Sequence, residues 1–205
     1  MFYKKSDLGE FDTKYSNLKL VALETLDKIE KGYYDNDNHQ SVNIQDMISY
    51  SIQNTRTYEQ DYKYSKPKKS ATKNPNNIEI SLETTIGAGY RLVVQEGFDK
   101  TVVLNFANPF EPGGGWLRGA PTQEESIIRC SSLISSLTQS INGKFDDELK
   151  TKDIIINGKK YKNPVNFYLH NLGIESPKNM LASDYMILSP DVPVFRDDQY
   201  NFLPQ

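Results

Sequence analysis

VVLNFANPFEPGGGWLRGAPTQEESIIRCSSLISSL, residues 102–137, places a strand pattern, a glycine-rich loop and an acidic helix start in direct succession. Val102, Val103, Leu104 and Phe106 form a nearly continuous apolar run, the pattern of a strand covered on both faces of an α/β sheet. Pro109 and Pro112 then end regular pairing. Gly113, Gly114 and Gly115 carry no side chains, so their backbone N–H groups can approach a ligand closely, which suits phosphate or sugar oxygens. Apolar residues return at helical spacing as Ile127, Cys130, Ile134 and Leu137, which predicts a helix from near Thr122. Its first turn holds Gln123, Glu124 and Glu125. Two readings of that turn stand side by side. Thr122 and Glu125 fit a capping box, in which each side chain bonds the other's backbone N–H. Alternatively, two adjacent carboxylates beside a glycine loop form an acid/base site.

Working outward, Ile78, Ile80 and Leu82 alternate as a strand, Thr84 or Thr85 can cap a helix running to Gln95, and Gly97 ends it before a strand from Thr101. This βαβ pattern predicts parallel strands and a right-handed crossover, with Asn108 and the glycines at the carboxyl end, where such sheets bind ligands. Toward the N-terminus, Leu18, Val21, Ala22, Leu26 and Ile29 predict a helix closed by Gly32. A second amphipathic segment carries Val42, Ile44, Met47, Ile48 and Ile52 toward Tyr58. Tyr33–Gln40 between them reads as a polar connector, with His39 solvated.

Residues 59–77 read as an exposed linker. Its Lys63, Lys66, Lys68 and Lys69 form either a solvated loop or a weak attractor for a polyanion. After Leu137, Lys144–Asp153 reads as a charged loop and Ile154–Ile156 with Asn157-Gly158 as a short strand and tight turn. Val165–His170 reads as an irregular excursion, and Tyr185–Ser189 as a buried strand.

The chain has 205 residues, a net charge of -3 and a pI near 5.5, which argue against a general nucleic-acid binder and so against direct DNA contact. A single cysteine, Cys130, excludes a disulfide framework, and one cysteine with two distant histidines gives no metal-ligand spacing, so no metal or cofactor is expected. No apolar run approaches a membrane span, and the N-terminus lacks a signal core, which implies an intracellular, cytoplasmic protein.

Gly113-Gly114-Gly115, seven residues, then Gln123-Glu124-Glu125 resembles the signature of the poly(ADP-ribose) glycohydrolases, a branch of the macrodomain superfamily. Asn105-Phe106-Ala107-Asn108, Ile80–Thr85, Gly97-Phe98-Asp99 and Asp184–Asp198 are similar to further segments of the microbial-type members, in order along most of the chain. The resemblance implies an α/β fold, a macrodomain-like mixed sheet flanked by helices. Residues 1–77 would be an N-terminal helical extension and linker that covers one side of the sheet, and residues 78–205 the catalytic core. A full domain of this family carries a second glycine-rich loop, which has no counterpart after Gly173, so a C-terminally truncated domain is expected. Glu111 is a smaller departure from the family pattern.

The resemblance further implies hydrolysis of the ribose–ribose O-glycosidic bond of poly(ADP-ribose) or of an ADP-ribosylated protein. On the matching positions, Glu125 would be the acid/base and Glu124 would hold ribose hydroxyls. Asn108 would bind the distal ribose, Gly113–Gly115 would wrap ribose and phosphate with N–H groups, and Gln123 would complete the binding set. A non-catalytic ADP-ribose binder or an inactive remnant are the alternatives. A P-loop NTPase is excluded because no Lys and hydroxyl follow the glycines, and a dinucleotide oxidoreductase because the glycines are contiguous.

Overall fold

Ala22, Thr25 and Ile29 lie one helical turn apart and are fully buried, and this stripe seats the first helix, α1 (Thr13–Lys31), against the centre of the molecule. The computed structural model describes residues 13–65, 78–141, 143, 154–171 and 184–204. Lys66, Lys68, Lys69, the loop Lys144–Asp153 and Gly173 lie outside the described residues. Gly32 ends α1 as expected, at φ +76°, with its N–H bonded to the Lys28 carbonyl at 2.9 Å.

The connector after Gly32 is more ordered than its polarity predicts. Strands β1 (Tyr33–Asp35) and β2 (Ser41–Asn43) form an antiparallel hairpin in which Tyr34 faces Val42, and both are buried. Only one inward residue per strand is needed, so the apolar signal is too sparse to read as a strand. His39 is exposed at the turn, as expected, with φ +57°. Val42 therefore belongs to a strand, and the second helix, α2, spans Gln45–Asn54. Its Ile48 and Ser51 are buried while Met47 is 46% exposed.

Strand β3 (Arg56–Tyr58) pairs antiparallel with β6 (Met186–Leu188), far away in sequence. β6 falls inside the expected strand, yet Met186 is 44% exposed, so it is an open two-stranded ribbon rather than a buried strand. β4 (Ile154–Ile156) and β5 (Lys159–Tyr161) make the expected hairpin, with positive φ at both Asn157 and Gly158.

Thr84 caps α3 (Thr85–Tyr90) by accepting from the Gly87 N–H at 2.9 Å, and the helix widens into a π turn over Arg91–Gln95. The flanking βαβ strands do not form. Ile78, Ile80 and Leu82 are 88%, 95% and 108% exposed, and Val102, Leu104 and Phe106 are 83%, 72% and 70% exposed. An apolar run supplies side chains for a sheet but not the neighbouring backbone that makes it one, and among the described residues no strand pairs with either run. The β part of this mixed α/β fold is three two-stranded antiparallel pairs among those residues, with no parallel crossover.

The helix expected from Thr122 to Leu137 is two helices, α4 (Gln123–Cys130) and α5 (Leu133–Thr138). Ser131 breaks it in an extended conformation, because the chain there bridges Val194 and the Ser132 N–H bonds the Pro193 carbonyl. Val165–His170 is not irregular: it lies in α6 (Pro164–Asn171), with Val165 and Tyr168 fully buried. The core gathers Ile29, Ile48, Trp116, Ile128, Ile134, Tyr168 and Phe195. The N-terminal helices cover other helices rather than a sheet: α1 packs on α4 and the Trp116–Arg118 turn, and α2 packs on α5.

Candidate active site

The helix start at Thr122 has the dihedral angles of an N-cap, but its hydroxyl does not accept from the helix amides. It donates instead to Glu125 Oε2. Glu125 Oε1 accepts from the Gly115 N–H at 2.9 Å. The capping box with the helix amides therefore does not form, and the Glu125 carboxylate bridges the N-cap hydroxyl and the glycine loop. Glu125 is 7% exposed and Glu124 3%.

Glu124 is gripped by three donors. Asn105 Nδ2 reaches Oε1 at 3.2 Å, the Asn108 N–H reaches Oε2 at 2.7 Å, and the Gly113 N–H reaches Oε1 at 3.2 Å. Burial pushes the Glu124 carboxyl above the ordinary carboxylate range, the three hydrogen bonds oppose that rise, and the charge of Glu125 adds to it. Behind it, burial pushes the Tyr168 hydroxyl upward and the Glu124 charge pushes the same way.

The glycines are required by this closeness. At Gly114, with φ +53°, a Cβ would stand 2.6 Å from Glu125 Oε1 and 3.4 Å from Glu124 Oε2, so both carboxylates converge on one bare backbone position. At Gly113, with φ +75°, a Cβ would meet Ile128 Cδ1 at 2.7 Å. The loop amides are engaged from within: Gly113 by Glu124, Gly115 by Glu125 and Gly114 by the Glu111 carbonyl at 2.9 Å. The Gly113 and Gly115 N–H groups thus fix the two carboxylates and that of Gly114 closes the loop turn, rather than standing open for a phosphate.

Asn108 and Gln123 also hold backbone. Asn108 Oδ1 accepts from the Phe110 and Glu111 N–H groups at 2.8 and 2.9 Å, an Asx turn that starts the loop. Gln123 Oε1 accepts from the Phe106 N–H at 2.8 Å while its Nε2 donates to the Leu104 carbonyl at 2.8 Å and to Thr85 Oγ1 at 3.2 Å. One side-chain amide thus ties the start of α4 to the unpaired run before the loop and to α3. All seven residues picked from the sequence meet around this loop.

Asn105, Tyr168 and Asn171 were not among them. Asn105 bonds Glu124 directly, and Asn171 Nδ2 donates to the Pro109 carbonyl at 2.8 Å, fixing the far side of the loop to α6. Asn105 lies in the same short segment as Asn108 and was within reach of that reading. Tyr168 and Asn171 come from a stretch with no motif, so only the fold identifies them. At the rim, exposed Glu111 and Arg118 form a two-pronged ion pair at 2.8 and 3.0 Å. No group of metal-ligating side chains occurs among the described residues.

A family model described as the catalytic domain of microbial-type PARG matches residues 22–197. The chain belongs to that family. A crystal structure of poly(ADP-ribose) glycohydrolase (PARG) from Thermomonospora curvata superposes with a TM-score of 0.68 at 29% identity, covering 92% of this chain and 60% of that one. The same enzyme bound to the inhibitor ADP-HPD gives 0.66 at 29% identity, covering 92% and 58%. The chain thus spans about three-fifths of the length of the PARG structures it matches. No curated protein matches it. No helix among the described residues is long and apolar enough to cross a membrane.

Proposed function

We propose that this chain hydrolyses the ribose–ribose O-glycosidic bond of poly(ADP-ribose), releasing ADP-ribose, with Glu125 as the general acid/base. The supporting observation is that the Glu125 carboxylate bridges the hydroxyl of its N-cap Thr122 and the Gly115 N–H of the glycine loop, rather than closing the cap on backbone N–H groups of its own helix. Family membership and the likeness to the Thermomonospora enzyme support the substrate class.

In this reading the leaving 2′-oxygen takes its proton from Glu125, which then activates the attacking water as the anomeric carbon passes through an oxocarbenium-like state. Glu124 works differently. A carboxylate offers about four acceptor sites, three are filled by protein donors, and the remainder accepts a ribose hydroxyl. Asn108 keeps its Nδ2 without a partner among the described residues and donates it to the distal ribose. Gly113–Gly115 act by giving the sugar a surface free of side chains, and Gln123 by keeping the 104–106 run against α4.

Removing a general acid/base slows such a reaction by roughly 100- to 10,000-fold, so Glu125→Gln is expected to lose ADP-ribose release to that extent while still binding ADP-ribose. Equal release by parent and variant would overturn the assignment of Glu125. Binding without release in the parent would support a reader of ADP-ribose instead of an enzyme.

A further inference from the structure

Away from the carboxylates, β3, the turn after it and the β4–β5 hairpin bring a group of tyrosines and cations onto one surface. Tyr58 and Tyr62 meet edge to face at 4.7 Å, Tyr58 and Tyr161 at 5.9 Å, and Tyr62 and Tyr64 at 4.9 Å. Lys159 Nζ donates to the Tyr62 hydroxyl at 2.9 Å and lies 4.7 Å from the centre of the Tyr62 ring and 5.4 Å from that of Tyr161. The Arg56 guanidinium stands 5.5 Å from the Tyr161 ring. A concavity of about 290 Å³ opens beside Tyr62 and the Lys159–Lys162 strand end.

A hairpin needs rings to cover it, but this surface goes further. Tyr64 is 61% exposed, Lys159 and Lys160 are exposed, and none of the four tyrosines belongs to the buried core. Two acids share the concavity. Glu59 is engaged by Lys162 at 2.8 Å, and Asp61 is the other, so lysines exceed carboxylates there. In a chain of net charge -3 this is a local inversion. Tyr64 is exposed and Tyr58, Tyr62 and Tyr161 are half-buried; accessible rings stack bases and adjacent cations meet phosphates, the pairing that holds single-stranded nucleotide chains.

Its position relates it to the site. The hairpin runs into α6 at Pro164, and α6 ends at Asn171, whose side chain bonds the Pro109 carbonyl of the glycine loop. The two features thus sit at opposite ends of one helix, about 12 Å long at 1.5 Å per residue.

We propose that this tyrosine–lysine surface is a second binding site, for an adenine-nucleotide unit of an ADP-ribose polymer remote from the bond being cleaved. It rests on the reading of the glycine loop as an ADP-ribose site and adds to it a preference for chains over single units. The choice of this polymer over other adenine-bearing polyanions follows from the ligand proposed for the glycine loop at the other end of α6.

The test uses the full chain carrying Glu125→Gln, so that polymer is not consumed, with fluorescence anisotropy on end-labelled poly(ADP-ribose) of defined length and titration of ADP-ribose. Tyr62→Ala and the double variant Lys159→Ala/Lys160→Ala are each expected to weaken polymer binding roughly tenfold while leaving ADP-ribose affinity within about twofold. Tyr62→Phe, which keeps the ring, is expected to retain polymer binding, and thermal melts check folding. Unchanged polymer affinity in Tyr62→Ala and the double lysine variant, with ADP-ribose still bound, overturns this proposal alone. A parallel loss of ADP-ribose affinity overturns it as a separate site. Absence of both polymer and ADP-ribose binding overturns it together with the reading of the glycine loop. Competition by oligodeoxyadenylate as strong as by the polymer overturns the choice of ligand.

Discussion

Glu125 accepts a 2.9 Å hydrogen bond from the N–H of Gly115, ten residues earlier, and this bond joins the start of α4 to the glycine loop. It separates the two readings that the sequence left open. A carboxylate bonded only within its own helix end would be structural, whereas this one, besides the hydroxyl of its N-cap Thr122, takes a loop amide and faces the position where both acids converge.

Gly114→Ala tests that convergence. The left-handed conformation costs a residue with Cβ roughly 1–2 kcal/mol, and the added methyl would overlap Glu125 Oε1. The variant is expected to melt at lower temperature in calorimetry and to lose ADP-ribose release at least tenfold. A variant with parental release would show that Gly114 does not shape the site.

The raised Glu124 carboxyl gives stability a pH dependence with a definite sign. A group that binds its proton more tightly when folded stabilises the fold fully below its unfolded value, near 4.5, and loses that contribution as pH rises through the folded value. Urea unfolding at pH 5 and pH 8 is therefore expected to show the parent gaining relative to the non-titrating Glu124→Gln at pH 5. A parent that gains at pH 8 would contradict the direction.

Gln123→Ala is expected to loosen one run specifically. Its amide supplies hydrogen bonds to Leu104 and Phe106, each worth about 1 kcal/mol net, on a stretch with no strand partner among the described residues. Hydrogen exchange at the Phe106 amide should speed up by tenfold or more while α1 is unchanged. Uniform exchange across the chain would instead indicate general destabilisation.

Cys130 is 1% exposed, and burial pushes its thiol up to about 12. At pH 8 the native protein is expected to leave an aromatic disulfide reagent unreacted for hours and to react with one equivalent after unfolding. Rapid native reaction would mean that α4 opens locally.

The helices were legible where one face is buried over several turns, as in α1, and so were the Asn157-Gly158 hairpin and the Thr84 cap. That the seven residues proposed for the site lie together was legible, because glycines and carboxylates in one short stretch meet locally. Features set by distant partners were not. Ser131 breaks the α4–α5 helix because Pro193 and Val194 arrive from sixty residues away, and β3 exists through β6. The 78–82 and 102–106 runs have strand composition, yet pairing depends on a neighbour that composition does not encode. The roles of Gly113 and Gly115 were half legible: the glycines were expected to present amides, but the groups they hold are Glu124 and Glu125.

The most direct measurement is release of ADP-ribose from poly(ADP-ribose) by this chain and by Glu125→Gln, with ADP-ribose titrated into both. The account predicts release by the parent, loss of release in the variant and binding by both. Release that survives Glu125→Gln, or a parent that binds without releasing, would contradict it.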